Sequence, residues 1–225
     1  MSLLVNSVER SETRRREEEL QVVIRGEKED SGTIKDVYQG LRDNKVKVMH
    51  EDDFDSEVHE RLTGTDLVPQ AEITERDWRD IGYHENTVVV NQNEADQDLE
   101  NAIEEFGIDE LIDDTVNNLL DEFTDRGIVY KDPQNNIAFF EEQPKPFDVY
   151  DTGAFILFDN PEELSENEMY LFEGAAANMY KQFTDDIAEK SSKDIDYITH
   201  RVVETSDYLD ASNNSDFFTQ LFEYS

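Results

Sequence analysis

The stretch from Arg126 to Phe155, RGIVYKDPQNNIAFFEEQPKPFDVYDTGAF, constrains the fold most tightly. Ile137–Phe140 and Phe147–Tyr150 read as two short strands, separated by a polar Glu-Glu-Gln-Pro-Lys-Pro segment whose prolines neither strand would absorb. A hairpin is the expected result. Asn136 immediately precedes the first strand and Asp151 immediately follows the second, so antiparallel pairing predicts that both lie at one end. Asp132 lies four residues before Asn136. Two carboxylates and a carboxamide are hard oxygen donors, the kind Mg²⁺ accepts together with phosphate oxygens. The expectation is a phosphate-handling site. The plainer alternative is that Asp and Asn at strand ends satisfy local backbone groups in turns.

The surroundings of this stretch are strongly acidic. Against 56 Asp and Glu stand 20 Lys and Arg, a formal charge of −36, and the excess runs from end to end. Apolar residues nevertheless recur at regular spacings, which argues against global disorder. A surface of this kind suits molar salt, where its self-repulsion is screened within a few ångströms, and points to a halophile, an archaeon or one of its viruses. The same charge argues against nonspecific nucleic-acid binding, which needs cations to neutralise phosphates. With no cysteine, disulfides and thiolate chemistry are excluded, and the four His (His50, His59, His84, His200) lack metal-ligand spacing. No apolar run is long enough to span a bilayer, and the N-terminus lacks the apolar core of a signal peptide. The expected location is cytoplasmic, with a virus particle as the alternative.

Along the chain, residues 1–19 read as an exposed arm carrying Arg14, Arg15 and Arg16. Leu20–Arg25, Thr33–Gln39 and Lys45–Met49 read as a three-strand meander, with Gly26 and Gly32 bounding the first loop and Gly40–Asn44 forming the second. In the third strand Lys45 and Lys47 share the face opposite Val46 and Val48. They are either functional or the wet face of an edge strand. His50–Leu62 reads as a helix with Phe54, Val58 and Leu62 in one stripe and Glu57 beside it. A charged, irregular stretch containing Trp78 leads to a buried strand at Val88–Val90, and Asn91–Asp96 is the best linker candidate. Beyond it, Ile108 to Phe123 mark an amphipathic helix closed by Gly127. Ser165 with Glu168 forms a capping box for a helix whose inner face carries Met169, Phe172, Ala176, Met179, Phe183 and Ile187. A helix from Asp194 to about Leu209 and an aromatic tail (Phe217, Phe218, Leu221, Phe222, Tyr224) complete the chain.

The order of these parts, from glycine-bounded meander and strand lysine through helical glutamate and linker to a catalytic-type hairpin, resembles the protein-kinase-like superfamily. Its small atypical members, the RIO-type and aminoglycoside-phosphotransferase-like kinases, are the nearest in layout. The resemblance implies an α+β, two-lobed fold: a β-rich N-lobe at 20–91, a hinge at 92–97 and a helical C-lobe at 98–225 holding the hairpin region 132–153. It implies ATP and Mg²⁺ as cofactors. Gly26 and Gly32 would bound the phosphate-covering loop, and Lys47 would hold the α- and β-phosphates while pairing with Glu57, or with Glu60 one turn on. Asp132 matches the catalytic aspartate, Asn136 the metal-binding asparagine, and Asp151 of Asp-Thr-Gly153 the second metal ligand.

Several features depart from the family pattern. The Asp132-to-Asn136 spacing is one residue short, Tyr130-Lys131 replaces the usual pair before the aspartate, and the glycine loop carries Glu27, Glu29 and Asp30. Two functions are therefore carried forward. One is an ATP-dependent phosphotransferase acting on a hydroxyl; the other is a kinase-like binding or structural module without turnover, in a virus particle or a host regulatory complex. The expected partners are a nucleotide and a protein, without nucleic acid or membrane.

Overall fold

The computed structural model describes residues 24–31, 35–40, 44–76 and 87–210. Trp78, Gly32, the Arg triplet and the aromatic tail lie outside them. The protein is mixed α+β, and its contacts gather into two compact units. The described residues up to Asp55 join Gln70–Glu94 in the first; Ser56–Pro69 joins the chain from Ala95 onward in the second.

The first unit is one antiparallel sheet. β1 (Ile24–Ser31), β2 (Lys35–Gly40), β3 (Asn44–His50), β4 (Ala71–Arg76) and β5 (Thr87–Asn93) lie in the order β1-β2-β3-β5-β4. β3 is thus the central strand, and the edge-strand reading of its lysines does not hold. Both faces of β3 are covered, since Val46, Lys47, Val48 and Met49 are all buried. The expected buried strand at Val88–Val90 is the middle of β5, at 3 % exposure or less. β4 was not anticipated: its alternation of Ala71 and Ile73 with Glu72 is too short to stand out in a charged stretch.

The expected loop Gly26–Gly32 is not a loop. Gly26 to Ser31 continue β1, which pairs with β2 through two register shifts, and only residues 32–34 separate the strands. A backbone ladder needs no particular side chains, so a polar segment can pair where its pattern suggests a turn.

The second unit is mainly helical. The helix expected over His50–Leu62 is split into a 3₁₀ turn at Glu51–Asp53 and α1 (Ser56–Leu62), because the Phe54 N–H caps the Glu51 carbonyl at 3.1 Å. Phe54, Val58 and Leu62 are buried as their spacing predicts. α1 is fastened within this unit: Arg61 Nη1 donates to the Phe158 carbonyl at 2.5 Å, and His59 meets Tyr150 edge-on at 5.5 Å.

α2 (Leu99–Phe106) is capped by Asp98, which accepts the Asn101 N–H at 2.9 Å, and ends at Gly107. α3 (Ile108–Thr115) runs through a π-helical turn at Val116–Leu120 into α4 (Asp121–Asp125). Leu111, Ile112, Val116, Leu119, Leu120 and Phe123 are 1 % exposed or less, as the helical period requires. α5 (Glu166–Ser191) begins at the expected box: Ser165 Oγ accepts the Glu168 N–H, and the Glu168 carboxylate accepts the Ser165 N–H at 2.9 Å. Phe172, Ala176, Met179, Phe183 and Ile187 are buried on its inner face, each large side chain contributing roughly 1.5–3 kcal/mol. Met169, at the helix start, is half-buried. α6 (Ile195–Thr205) and α7 (Asp207–Asp210) close the unit. Between them the buried Asp121 accepts bonds from Tyr180 Oη, Ser206 Oγ (2.6 Å) and the Asp207 N–H (2.8 Å).

Two small sheets are set among these helices. β6 (Gln97–Asp98), β8 (Ile137–Phe140) and β9 (Gln143–Pro146) form one, in the order β6-β8-β9; β7 (Ile128–Tyr130) and β10 (Phe155–Leu157) form the other. The hairpin expected between 137–140 and 147–150 pairs differently. β8 turns after Phe140 through Glu141 and Glu142, both in the left-handed region (φ 52° and 67°), and its partner is Gln-Pro-Lys-Pro itself. Pro144 and Pro146 share strand parity and β9 is an edge, so both missing N–H groups fall on the side that bonds nothing.

Candidate functional site

β7 and β10 carry the two segments singled out in the sequence. Tyr130 pairs with Phe155, Val129 with Ile156 and Ile128 with Leu157. The loop leaving β7 contains Asp132 and Asn136; the turn entering β10 contains Asp151, Thr152 and Gly153. They are stitched side by side where the Lys131 N–H donates to the Ala154 carbonyl at 2.9 Å. The turn closes with the Ala154 N–H on the Asp151 carbonyl at 2.9 Å, and Gly153 takes φ +83°, which glycine adopts without a Cβ penalty.

Tyr130 is the hub of this arrangement. Its ring is 1 % exposed and stacks on Phe155 at 4.7 Å, while its hydroxyl donates to the Asn136 carbonyl at 3.4 Å. Burial pushes the phenol pKa well above its ordinary value, and the charges of Asp148, Asp132 and Asp151 push it further. The negative charge of these three carboxylates thus favours the neutral phenol.

Asp132 is exposed, and Asn136 and Asp151 are half-buried. Asn136 Nδ2 donates to the Asp132 carbonyl at 3.0 Å, which leaves the carboxamide oxygen as the group it offers. The Asn136 carbonyl accepts the Phe147 N–H at 2.7 Å. Asp132, Asn136 and Asp151 thus belong to neighbouring segments, but by a different route from the one expected. The hairpin ends at Asn136 and Phe147, and it is the β7–β10 ladder that returns Asp151 to the loop.

Within the first unit, Lys47 faces Val37 on β2 and Val90 on β5, with Ile73 beyond on β4. Residues directly opposite share a face, so Lys47 stands between two valines in a row that ends at Ile73 on β4 and at Asp30 on β1. At 1 % exposure it occupies a position that burial alone disfavours for an ammonium. Lys45 ion-pairs with Glu94 at 3.1 Å. Gly26 is within β1, and Glu57 and Glu60 are exposed on α1 in the second unit.

Sequence reasoning missed the support beneath the loop. Along α5, Met179 Sδ accepts the Tyr130 N–H at 3.3 Å and Gln182 Nε2 donates to the Lys131 carbonyl at 2.9 Å. One turn on, Asp186 and Lys190 reach Asn135. The available signal was a carboxylate placed by periodicity on the apolar face of that helix.

Among the described residues no three His, Cys, Asp or Glu side chains are gathered to hold a metal ion unaided. Mg²⁺ seldom requires that; it keeps waters and takes one or two protein oxygens together with phosphates, so Asn136 and Asp151 are a fitting donor set. Among the described residues no helix is long and apolar enough to cross a membrane. No protein-family model matches the chain, and no curated protein matches its sequence.

Proposed function

We propose that the protein is a kinase-like phosphotransferase that moves the γ-phosphoryl group of ATP onto a substrate hydroxyl. The observation that carries this reading is the stitching of the Asp132–Asn136 loop to the Asp151–Gly153 turn around Tyr130. The buried lysine at the centre of the five-stranded sheet supports it. In this reading Asp132 orients the hydroxyl and takes its proton as the oxygen–phosphorus bond forms and the bond to ADP breaks. Lys47 is the residue this reading assigns to the α- and β-phosphates. Asn136 and Asp151 would hold Mg²⁺, whose charge would neutralise the phosphate oxygens. The two units would be the two lobes of the fold, and the source a halophile, with the protein in its cytoplasm or carried in a virus particle.

A second reading is a kinase-like module that binds without turnover. It is favoured by β1, where Glu27, Glu29 and Asp30 extend a strand where a phosphate-covering loop was expected. A protein partner then replaces the substrate.

The test is thermal unfolding in molar KCl with and without Mg²⁺-ATP. A nucleotide at about one hundred times its Kd adds about 2.7 kcal/mol to the folded state. Asp151→Asn abolishes the metal-dependent part of that gain, and Lys47→Met abolishes most of the rest. Phosphate transfer that disappears in Asp132→Ala supports the enzyme, whereas binding with no transfer supports the module. Absence of any nucleotide effect refutes the phosphotransferase.

A further inference from the structure

We infer that Asp186 is a positioning residue for the candidate site, holding the loop that presents Asp132 and Asn136. The inference rests on the reading of that loop as a metal and phosphate site. Asp186 is 1 % exposed, on the helical face that also carries Met179, Phe183 and Ile187, each 0 % exposed. A carboxylate there is costly to bury, and a hydrophobic residue of similar size would serve packing as well or better. Its oxygens are divided between two partners. Oδ2 accepts the Asn135 N–H at 3.0 Å, and Oδ1 is ion-paired with Lys190, one turn along α5. Lys190 Nζ also donates to Asn135 Oδ1 at 2.5 Å, closing a three-residue ring.

What this ring grips is the strained point of the loop. Asn135 is at φ +59°, a left-handed conformation that Asn tolerates better than most L-residues. Two bonds to the Asn135 side chain and backbone hold it there. The next residue is Asn136, whose carboxamide donates to the Asp132 carbonyl, so the left-handed turn sets both candidate groups at once. Asp186 touches neither. It acts through Asn135, and its buried charge is explained by the loop it holds.

The test uses the full chain in molar KCl, with Mn²⁺ and ADP as probes, and measures dissociation constants for ADP alone and for ADP with Mn²⁺. Asp186→Ala is expected to weaken the Mn²⁺-dependent binding about ten- to a hundred-fold, the range for loss of a residue that orients a metal ligand. Binding of ADP alone should change less than three-fold, a split that general destabilisation does not produce. Should Asp186→Ala fail to fold, Asn135→Ala, at an exposed position, removes the side-chain acceptor and disfavours the left-handed turn. It is expected to give the same metal-specific loss. Unchanged Mn²⁺–ADP affinity in either folded variant overturns the positioning role and leaves the nucleotide reading intact. A wild-type protein that binds ADP neither with nor without Mn²⁺ removes both.

Discussion

Replacing Gly127 by Ala tests the packing that fastens β7, β10 and α1 together. Gly127 ends the helical run before β7 at φ +67°, and a Cβ there would lie 2.7 Å from the Asp159 carbonyl oxygen and 3.0 Å from that of Phe158. Both obstacles are backbone atoms, so neither can swing aside. The same segment is held by the Phe158 N–H on the Gly127 carbonyl at 2.8 Å and by Arg61 on the Phe158 carbonyl. Relief of the overlap therefore stretches both bonds. Gly64 is the control, since at φ +78° it has nothing within 4 Å of the added carbon. Gly64→Ala should cost only the left-handed penalty of about 1 kcal/mol. Gly127→Ala adds the weakening of the Phe158–Gly127 and Arg61–Phe158 hydrogen bonds at about 1 kcal/mol each or more, for a total of about 3 kcal/mol. In a chain of this length that lowers Tm by about 6–12 °C, against about 2–4 °C for the control. The assay is thermal unfolding by circular dichroism in molar KCl. Equal shifts in the two variants would refute the reasoning, because they would show that the close approach to 158–159 carries no weight.

Three further outcomes follow from other sites. Asp121→Ala leaves Tyr180, Ser206 and the Asp207 N–H without their shared acceptor; a loss of about 3 kcal/mol is expected, read as a lower urea midpoint. Replacing Glu141-Glu142 by Asn-Gly relieves two left-handed residues in a two-residue hairpin, and Tm should rise by a few degrees, about 1 kcal/mol. Burial raises the Tyr150 pKa from 10.0 to about 12, so its neutral form is favoured by folding. That contribution is complete below pH 10 and is lost as pH rises through about 12. Tyr150→Phe should accordingly lose less stability than wild type between pH 10 and 12, by roughly 3 kcal/mol in unfolding free energy.

Much of the helical unit was legible because its signals are local. The Ser165–Glu168 box, the stripe from Phe172 to Ile187 and the period from Leu111 to Phe123 each depend on residues within two turns of one another. Strand pairing was less legible. β1 and β4 are polar segments joined by backbone ladders, and the Gln143–Pro146 strand hides behind two prolines that are harmless only because β9 is an edge. α2 carries Leu99, Ala102, Ile103 and Phe106 at helical spacing and was overlooked although its stripe was present, because it spans only two turns next to a stretch that reads as linker. At the candidate site the residue types were legible and the means of assembly was not. Asp132, Asn136 and Asp151 announced themselves by chemistry, whereas Asp186 meets Asn135 across 51 residues of chain, a separation no local pattern spans.

Because the Asp132 loop and the Asp151 turn hang from adjacent ends of one three-rung ladder, they share a mount. Their backbones are therefore expected to move as a pair when the helices around them breathe. Any machinery built there inherits a tolerance that is tight internally and loose externally, like the two tips of one pair of tweezers.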